Sequence, residues 1–131
     1  MHATHSESRK KSTPEDKKRV LRKAFIRVTE QLDIKRPELK AIIGPSIPYW
    51  SRFFNDDNYL IDPSSKEGEL VILLIRLYRS LDTLFGGNKE QCRLWLSSEN
   101  YHLGMTPIKL IQSIPGLIHT VEYLDAMRGK N

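Results

Sequence analysis

The side chains with catalytic or metal-binding potential in this sequence are few and do not converge. Four histidines, one cysteine and 16 carboxylates are spread over 131 residues. His2 and His5 have the spacing of a weak metal pair, but nothing beside them completes a coordination set. His102 and His119 could act as bases; His119 stands among apolar residues, which favours a partnered core histidine. Cys92 has Arg93 next to it, yet it begins an apolar helical face, which favours a buried and inert thiol. Phosphate-binding glycine loops and the GxSxG, HExxH and CxxC motifs are absent, and the carboxylates show no pairing that their spacing supports. The chain reads as a non-enzyme that needs no cofactor and no metal.

The remaining chemistry is that of binding. The net charge of +5 is unevenly placed. Residues 1–40 carry 12 Lys/Arg against 6 Asp/Glu, and residues 41–131 carry 9 against 10. A basic N-terminal part favours a polyanion partner there, although solvated helix faces also account for such charge. Within it, Pro37–Ile43 reads as a short helix ended by Gly44, and a second helix begins at Pro45-Ser-Ile-Pro-Tyr-Trp. Helix, glycine turn and helix is the arrangement of a helix-turn-helix. Ala41 would sit where the two helices touch, with Leu39, Ile42, Ile47 and Phe53 as anchors. Lys35, Arg36, Ser46, Tyr49 and Arg52 are then the candidate DNA-binding residues, with Arg52 suited to a guanine edge or a phosphate. Pro45, Pro48 and Trp50 restrict the entry of the second helix and remove backbone donors. A hairpin that only packs, with Tyr49 and Trp50 as core, is the alternative.

The elements that must position these residues are helical throughout. Residues 1–12 read as a mobile tail. Thr13-Pro-Glu-Asp caps a first helix whose Val20, Leu21, Ala24, Phe25, Val28 and Leu32 share a face, while Lys17, Lys18, Arg19, Arg22, Lys23 and Arg27 cover the exterior. Ser64 and Glu67 have capping-box spacing ahead of a helix that is apolar nearly all round from Glu69 to Phe85. In so short a chain a second copy is expected to cover it, through Leu70, Leu73, Leu74, Leu77 and Leu81; the core helix of a monomer is the alternative. Gly86-Gly87 ends that helix, and Asn88 caps the next, which bears Trp95.

The last third closes the chain with three short helices. Leu96 ends the first, Ser97–Gly104 form a polar loop, and Thr106-Pro107 starts the second. Ser113-Ile-Pro-Gly restarts the chain in a third helix with Leu117, Ile118, Val121 and Leu124 on one face and Gly129 as its cap. The ordered set Trp95-Leu96, Asn100, Leu103-Gly104, Thr106-Pro107, Leu110-Ile111, Val121, Leu124 and Arg128-Gly129 resembles the toxin-binding domain of Xre/MbcA/ParS antitoxins. That resemblance implies a RES-domain, NAD-consuming toxin as partner, blocked sterically by the C-terminal end of the antitoxin. It also implies a homodimer that represses its own operator. Carried onto this chain, Asn100, Thr106 and Pro107 become scaffold or contact, and Arg128, Gly129, Lys130 and Asn131 lie nearest the toxin's pocket. Trp95 and Leu103 are expected in the core.

The expected fold is therefore all-α: tail 1–12, helix-turn-helix-like region 13–60, central helix 61–87 and toxin-binding domain 88–131. No apolar run reaches the length of a membrane span, and the N-terminus lacks the apolar core of a secretory signal. One cysteine permits no internal disulfide and suits the cytoplasm. A stand-alone helix-turn-helix regulator without a toxin, and an adaptor for an acidic protein, are the competing readings.

Overall fold

The computed structural model describes residues 12–129, so His2, His5, Lys130, Asn131 and most of the tail lie outside the described residues. Seven helices and no strand occur among them: α1 Pro14–Leu32, α2 Arg36–Ile43, α3 Ile47–Asn55, α4 Lys66–Leu84, α5 Lys89–Ser97, α6 Pro107–Leu110 and α7 Ile114–Gly129. None is long and apolar enough to cross a membrane.

The caps explain most boundaries. Thr13 Oγ1 accepts from the Asp16 backbone N–H at 3.0 Å, while the Thr13 N–H donates to Asp16 Oδ2 at 3.2 Å, satisfying two groups that the helix start leaves open. Asn88 Oδ1 accepts from the Gln91 N–H at 3.0 Å at the start of α5. For α4 the cap is Ser65, not Ser64: Ser65 Oγ accepts from the Gly68 N–H at 3.0 Å, and Ser64 instead donates to Asp62 Oδ1. Gly86 and Gly87, at φ 59° and 81°, end α4 in the left-handed region that glycine adopts without strain. At the other end of the chain α7 runs through Gly129 without a glycine cap.

α1 packs on α4 and α5, and α4 packs along α7. This corrects the expectation for the central helix. Leu70, Leu74, Leu77 and Leu81 are buried by the chain's own helices, the last three completely, and are unavailable to a second copy; Leu73 is half-buried. The long apolar run of α4 is thus covered by α1 on one side and α7 on the other. Two departures on α1 have the same geometric origin. Val20 is exposed and Arg22 is buried, reversing their expected faces. At about 100° per residue the two project to nearly opposite sides of the helix, so only one could face the hairpin, and that one is Arg22.

The hairpin itself closes over α1 by aromatic packing. Trp50 and Phe53, both fully buried, place their ring centroids 5.4 and 5.7 Å from that of Phe25. Such offset and edge contacts add about 0.5–1.5 kcal/mol each beyond area burial. The Arg22 guanidinium lies 4.5 Å from the Phe53 ring centroid, and Nη1 donates to the Tyr59 carbonyl at 2.7 Å. Trp50 Nε1 is buried without a hydrogen-bond partner among the described residues, so area burial and ring contacts hold the tryptophan. Ala41 and Ile47 are exposed and take no part in this contact, because Leu39, Ile42 and Ile43 turn the buried face of α2 elsewhere.

Candidate functional site

Two surfaces follow from this packing, one on the hairpin and one on the C-terminal helices. On the hairpin, Gly44 at φ 122° makes the turn between α2 and α3. Lys35, Arg36 and Arg52 are exposed. Lys35 Nζ pairs with Asp33 Oδ1 at 2.8 Å, a bond that holds the Asp33 carboxyl below its ordinary range. The Arg36 guanidinium lies 5.4 Å from the Phe54 ring centroid. Ser46 Oγ is used as the α3 cap, accepting from the Tyr49 N–H at 3.4 Å. Tyr49 is half-buried between Trp50, Phe53 and Tyr59, and burial pushes its phenol up from the ordinary value. Of the five DNA candidates, Lys35, Arg36 and Arg52 therefore present cations outward, while Ser46 and Tyr49 are engaged in holding the hairpin.

The C-terminal surface is built on a closed loop. Asn100 Oδ1 accepts from the Leu103 N–H at 3.1 Å and the Asn100 carbonyl accepts from the Gly104 N–H at 2.8 Å. Asn100 and Met105 form an isolated antiparallel bridge, and Gly104 turns the chain at φ 83°. Asn100 is thus a scaffold residue. Pro107 is buried at the start of α6, and Thr106 is half-buried at the N-cap position, where its side chain makes no capping hydrogen bond. Trp95 and Leu103 are half-buried, with Trp95 packed against the core. The loop tip is fastened to α7 through His102, whose ring stacks on Tyr123 with centroids 6.3 Å apart.

Close contact between α6 and α7 depends on a missing side chain. A Cβ on Gly116 would stand 1.9 Å from the Leu110 carbonyl oxygen, so only glycine fits. Ser113 Oγ accepts from the Gly116 N–H at 3.1 Å, and the buried Thr120 hydroxyl donates to the Gly116 carbonyl at 2.7 Å. On the far side Arg76 and Ser80 of α4 both bond the Asp125 carboxylate, pinning α7 lengthwise.

Most of the large apolar side chains exposed to solvent belong to this domain. Of nine large apolar side chains exposed among the described residues, six lie between Leu94 and Met127: Leu94, Tyr101, Met105, Ile114, Ile118 and Met127. Tyr101 is 95% exposed at the loop tip, and Ile114 and Ile118 stand one turn apart on α7. Ile118 was expected in the core face and His119 as a core histidine; both face outward, since Leu117, Thr120, Val121 and Leu124 occupy the buried side. Tyr101, Met105 and Leu94 were not anticipated. An aromatic residue inside the polar loop Ser98-Glu-Asn-Tyr-His was the one available signal. Arg128 and Gly129 are exposed in the last turn of α7. Cys92 is buried, with burial and the Asp82 carboxylate pushing its thiol up. No group of three or more metal-ligating side chains comes together among the described residues.

The described residues are all-helical, with exposed apolar side chains concentrated in α5, α7 and the loop that precedes α6. Residues 80–130 match the family model of the antitoxin Xre/MbcA/ParS C-terminal toxin-binding domain, so this part of the chain resembles the toxin-binding end of such antitoxins. The match begins near the end of α4 and takes in α5, α6 and α7. No curated protein matches the chain.

Proposed function

We propose that this chain is an antitoxin that neutralises a RES-domain, NAD-consuming toxin by covering it with the outward face of α5–α7, and that its α2–α3 hairpin binds operator DNA. The carrying observation is the coincidence of the toxin-binding domain match with six of the nine exposed apolar side chains. Leu94, Tyr101, Ile114 and Ile118 supply contact area, and Arg128, Gly129, Lys130 and Asn131 supply the end directed at the toxin's pocket. Asn100, Thr106 and Pro107 shape the surface without touching the partner. A cationic group such as Arg128 suits a pocket that accepts a phosphate-rich ligand. The antitoxin needs no chemistry of its own for this, since blockade requires only a rigid shape.

Operator binding draws on Lys35, Arg36 and Arg52, with the exposed Arg19, Lys23 and Arg27 of α1 adding sequence-independent attraction to phosphate. A dimer on DNA would have to pair through surfaces other than Leu70, Leu74, Leu77 and Leu81, which the fold has already used. Such a protein acts in the cytoplasm, where both operator and NAD are found.

Co-expression with a RES-domain toxin encoded beside this chain tests the reading. Co-purification and restored growth are expected, and Ile118→Glu should abolish both while leaving the helical spectrum unchanged. A toxin that kills equally with and without this chain would end the proposal.

A further inference from the structure

Two exposed apolar side chains lie outside both the C-terminal domain and the α2–α3 hairpin. Val20 of α1 is 69% exposed and Ile72 of α4 is 43% exposed. Both line one groove of about 510 Å³ between these helices, with Ala24 deeper in its wall. Its charged members are Lys17, Arg76 and Arg79, and no carboxylate lines it. Arg76 is paired with Asp125, whereas Lys17 and Arg79 are paired with no carboxylate among the described residues. The groove lies on the edge of α1 away from the hairpin, since Val20 and the hairpin-facing Arg22 project to opposite sides.

An apolar strip rimmed by cations of one sign specifies its occupant by charge. A second copy meeting it groove to groove would set Lys17 and Arg79 against their own equivalents, which self-complementary contact penalises. A phosphate backbone would match the cations but give the apolar strip nothing to bury. We propose that the α1–α4 groove docks an acidic amphipathic helix of a partner protein, seating apolar side chains over Val20, Ala24 and Ile72 and carboxylates against Lys17 and Arg79. Helix-in-groove recognition needs this combination: apolar anchors at i, i+3, i+4 and i+7, and flanking charge that sets orientation. This site is independent of the toxin-binding face and does not rest on it.

The probe is a synthetic helical peptide with leucines at those spacings and glutamates between them, titrated into the full chain and followed by amide chemical shifts and fluorescence anisotropy. Shifts centred on Val20, Ala24 and Ile72 are expected, with affinity falling about tenfold in Ile72→Asp and in Arg79→Glu. Both positions are exposed, so the variants should keep the wild-type circular dichroism spectrum. A peptide of the same composition with its leucines dispersed should bind weakly; equal binding would reduce the effect to charge alone and overturn the proposal. Shifts elsewhere, or unchanged affinity in both variants, would do the same. Sedimentation of a dimer that Ile72→Asp dissociates would assign the groove to a second copy. Binding to phosphatidylserine vesicles that both variants abolish would assign it to a lipid surface, and either result removes the proposal.

Discussion

The Arg93 guanidinium on α5 closes the C-terminal end of α1: its Nε donates to the Gln31 carbonyl at 3.0 Å and its Nη2 to the Glu30 carbonyl at 2.8 Å. Helix ends leave carbonyls without intrahelical partners, and α1 has no basic residue in its own last turn to serve them. The cation comes instead from a residue 62 positions later, inside the toxin-binding domain. This joint ties that domain to the helix on which the hairpin is mounted.

Arg93→Ala should therefore cost about 1.5–3 kcal/mol, the range for hydrogen bonds to a charged group. Arg93→Lys should recover only part of it, because one ammonium cannot reproduce the fork that reaches two successive carbonyls. Urea unfolding with an unchanged m value measures both. A loss below about 0.5 kcal/mol would show that water serves the two carbonyls equally well.

Arg22 offers a contrast between buried and exposed partners. Its guanidinium is buried over Phe53 and bonded to the Tyr59 carbonyl, while its ionic partner Asp57, at 3.6 Å, is almost fully exposed. The hydrogen bond and ring contact should dominate, since exposed ion pairs contribute about 0–1 kcal/mol. Arg22→Ala is expected to destabilise by about 2–4 kcal/mol through the lost packing and the unpaired carbonyl. Asp57→Asn should be nearly silent. Equal effects of the two changes on thermal unfolding would reverse this ranking.

The helix starts at Thr13 and Asn88 were legible because capping is local: a side-chain oxygen and a backbone N–H three residues on decide it. Facing was less legible. Val20 and Arg22 were assigned by residue type, but the side of α1 that meets the hairpin is set by where Trp50 and Phe53 arrive, which is a tertiary fact. The run Leu70 to Leu81 showed that α4 is buried, and could not show that α7 of the same chain covers it. For the site, the ordered motif of the last third pointed to the domain, yet two of its residues face inward: Asn100 is hydrogen-bonded within its own loop and Pro107 is buried. The outward residues Tyr101, Met105 and Ile118 have no spacing that separates them from core residues. Arg93 was read only as a neighbour of Cys92, because its partners lie on another helix.

Gly116 and Gly104 separate steric from conformational need. Gly116→Ala places a methyl 1.9 Å from the Leu110 carbonyl oxygen, where only backbone movement gives relief. It should unfold the α6–α7 corner and abolish toxin binding, with a stability loss above about 3 kcal/mol. Gly104 has open space around its missing Cβ and requires only φ 83°. Gly104→Ala should cost about 1–2 kcal/mol and leave the complex intact. Gly68, where a Cβ would stand 2.0 Å from the Asp62 carbonyl oxygen, should behave like Gly116 in stability but leave the α5–α7 face unaltered. Co-purification with the toxin at low temperature distinguishes the three.

Cys92 links burial to alkaline stability. Its thiol is pushed up by burial and by the Asp82 carboxylate, both of which disfavour the thiolate in the folded chain. The folded pKa thus lies above the unfolded one, so the contribution to stability is complete below the unfolded value and is lost as pH rises through the folded value. Unfolding free energy should decline from about pH 8 upward, in the range where an unfolded cysteine ionises. The Cys92→Ala variant should decline less steeply over that interval, whatever its absolute stability. The same burial predicts that a thiol reagent labels native protein only as fast as α5 opens, and reacts at once in urea. Parallel pH profiles for the two proteins, or immediate labelling of the native chain, would show that α5 does not shield the thiol.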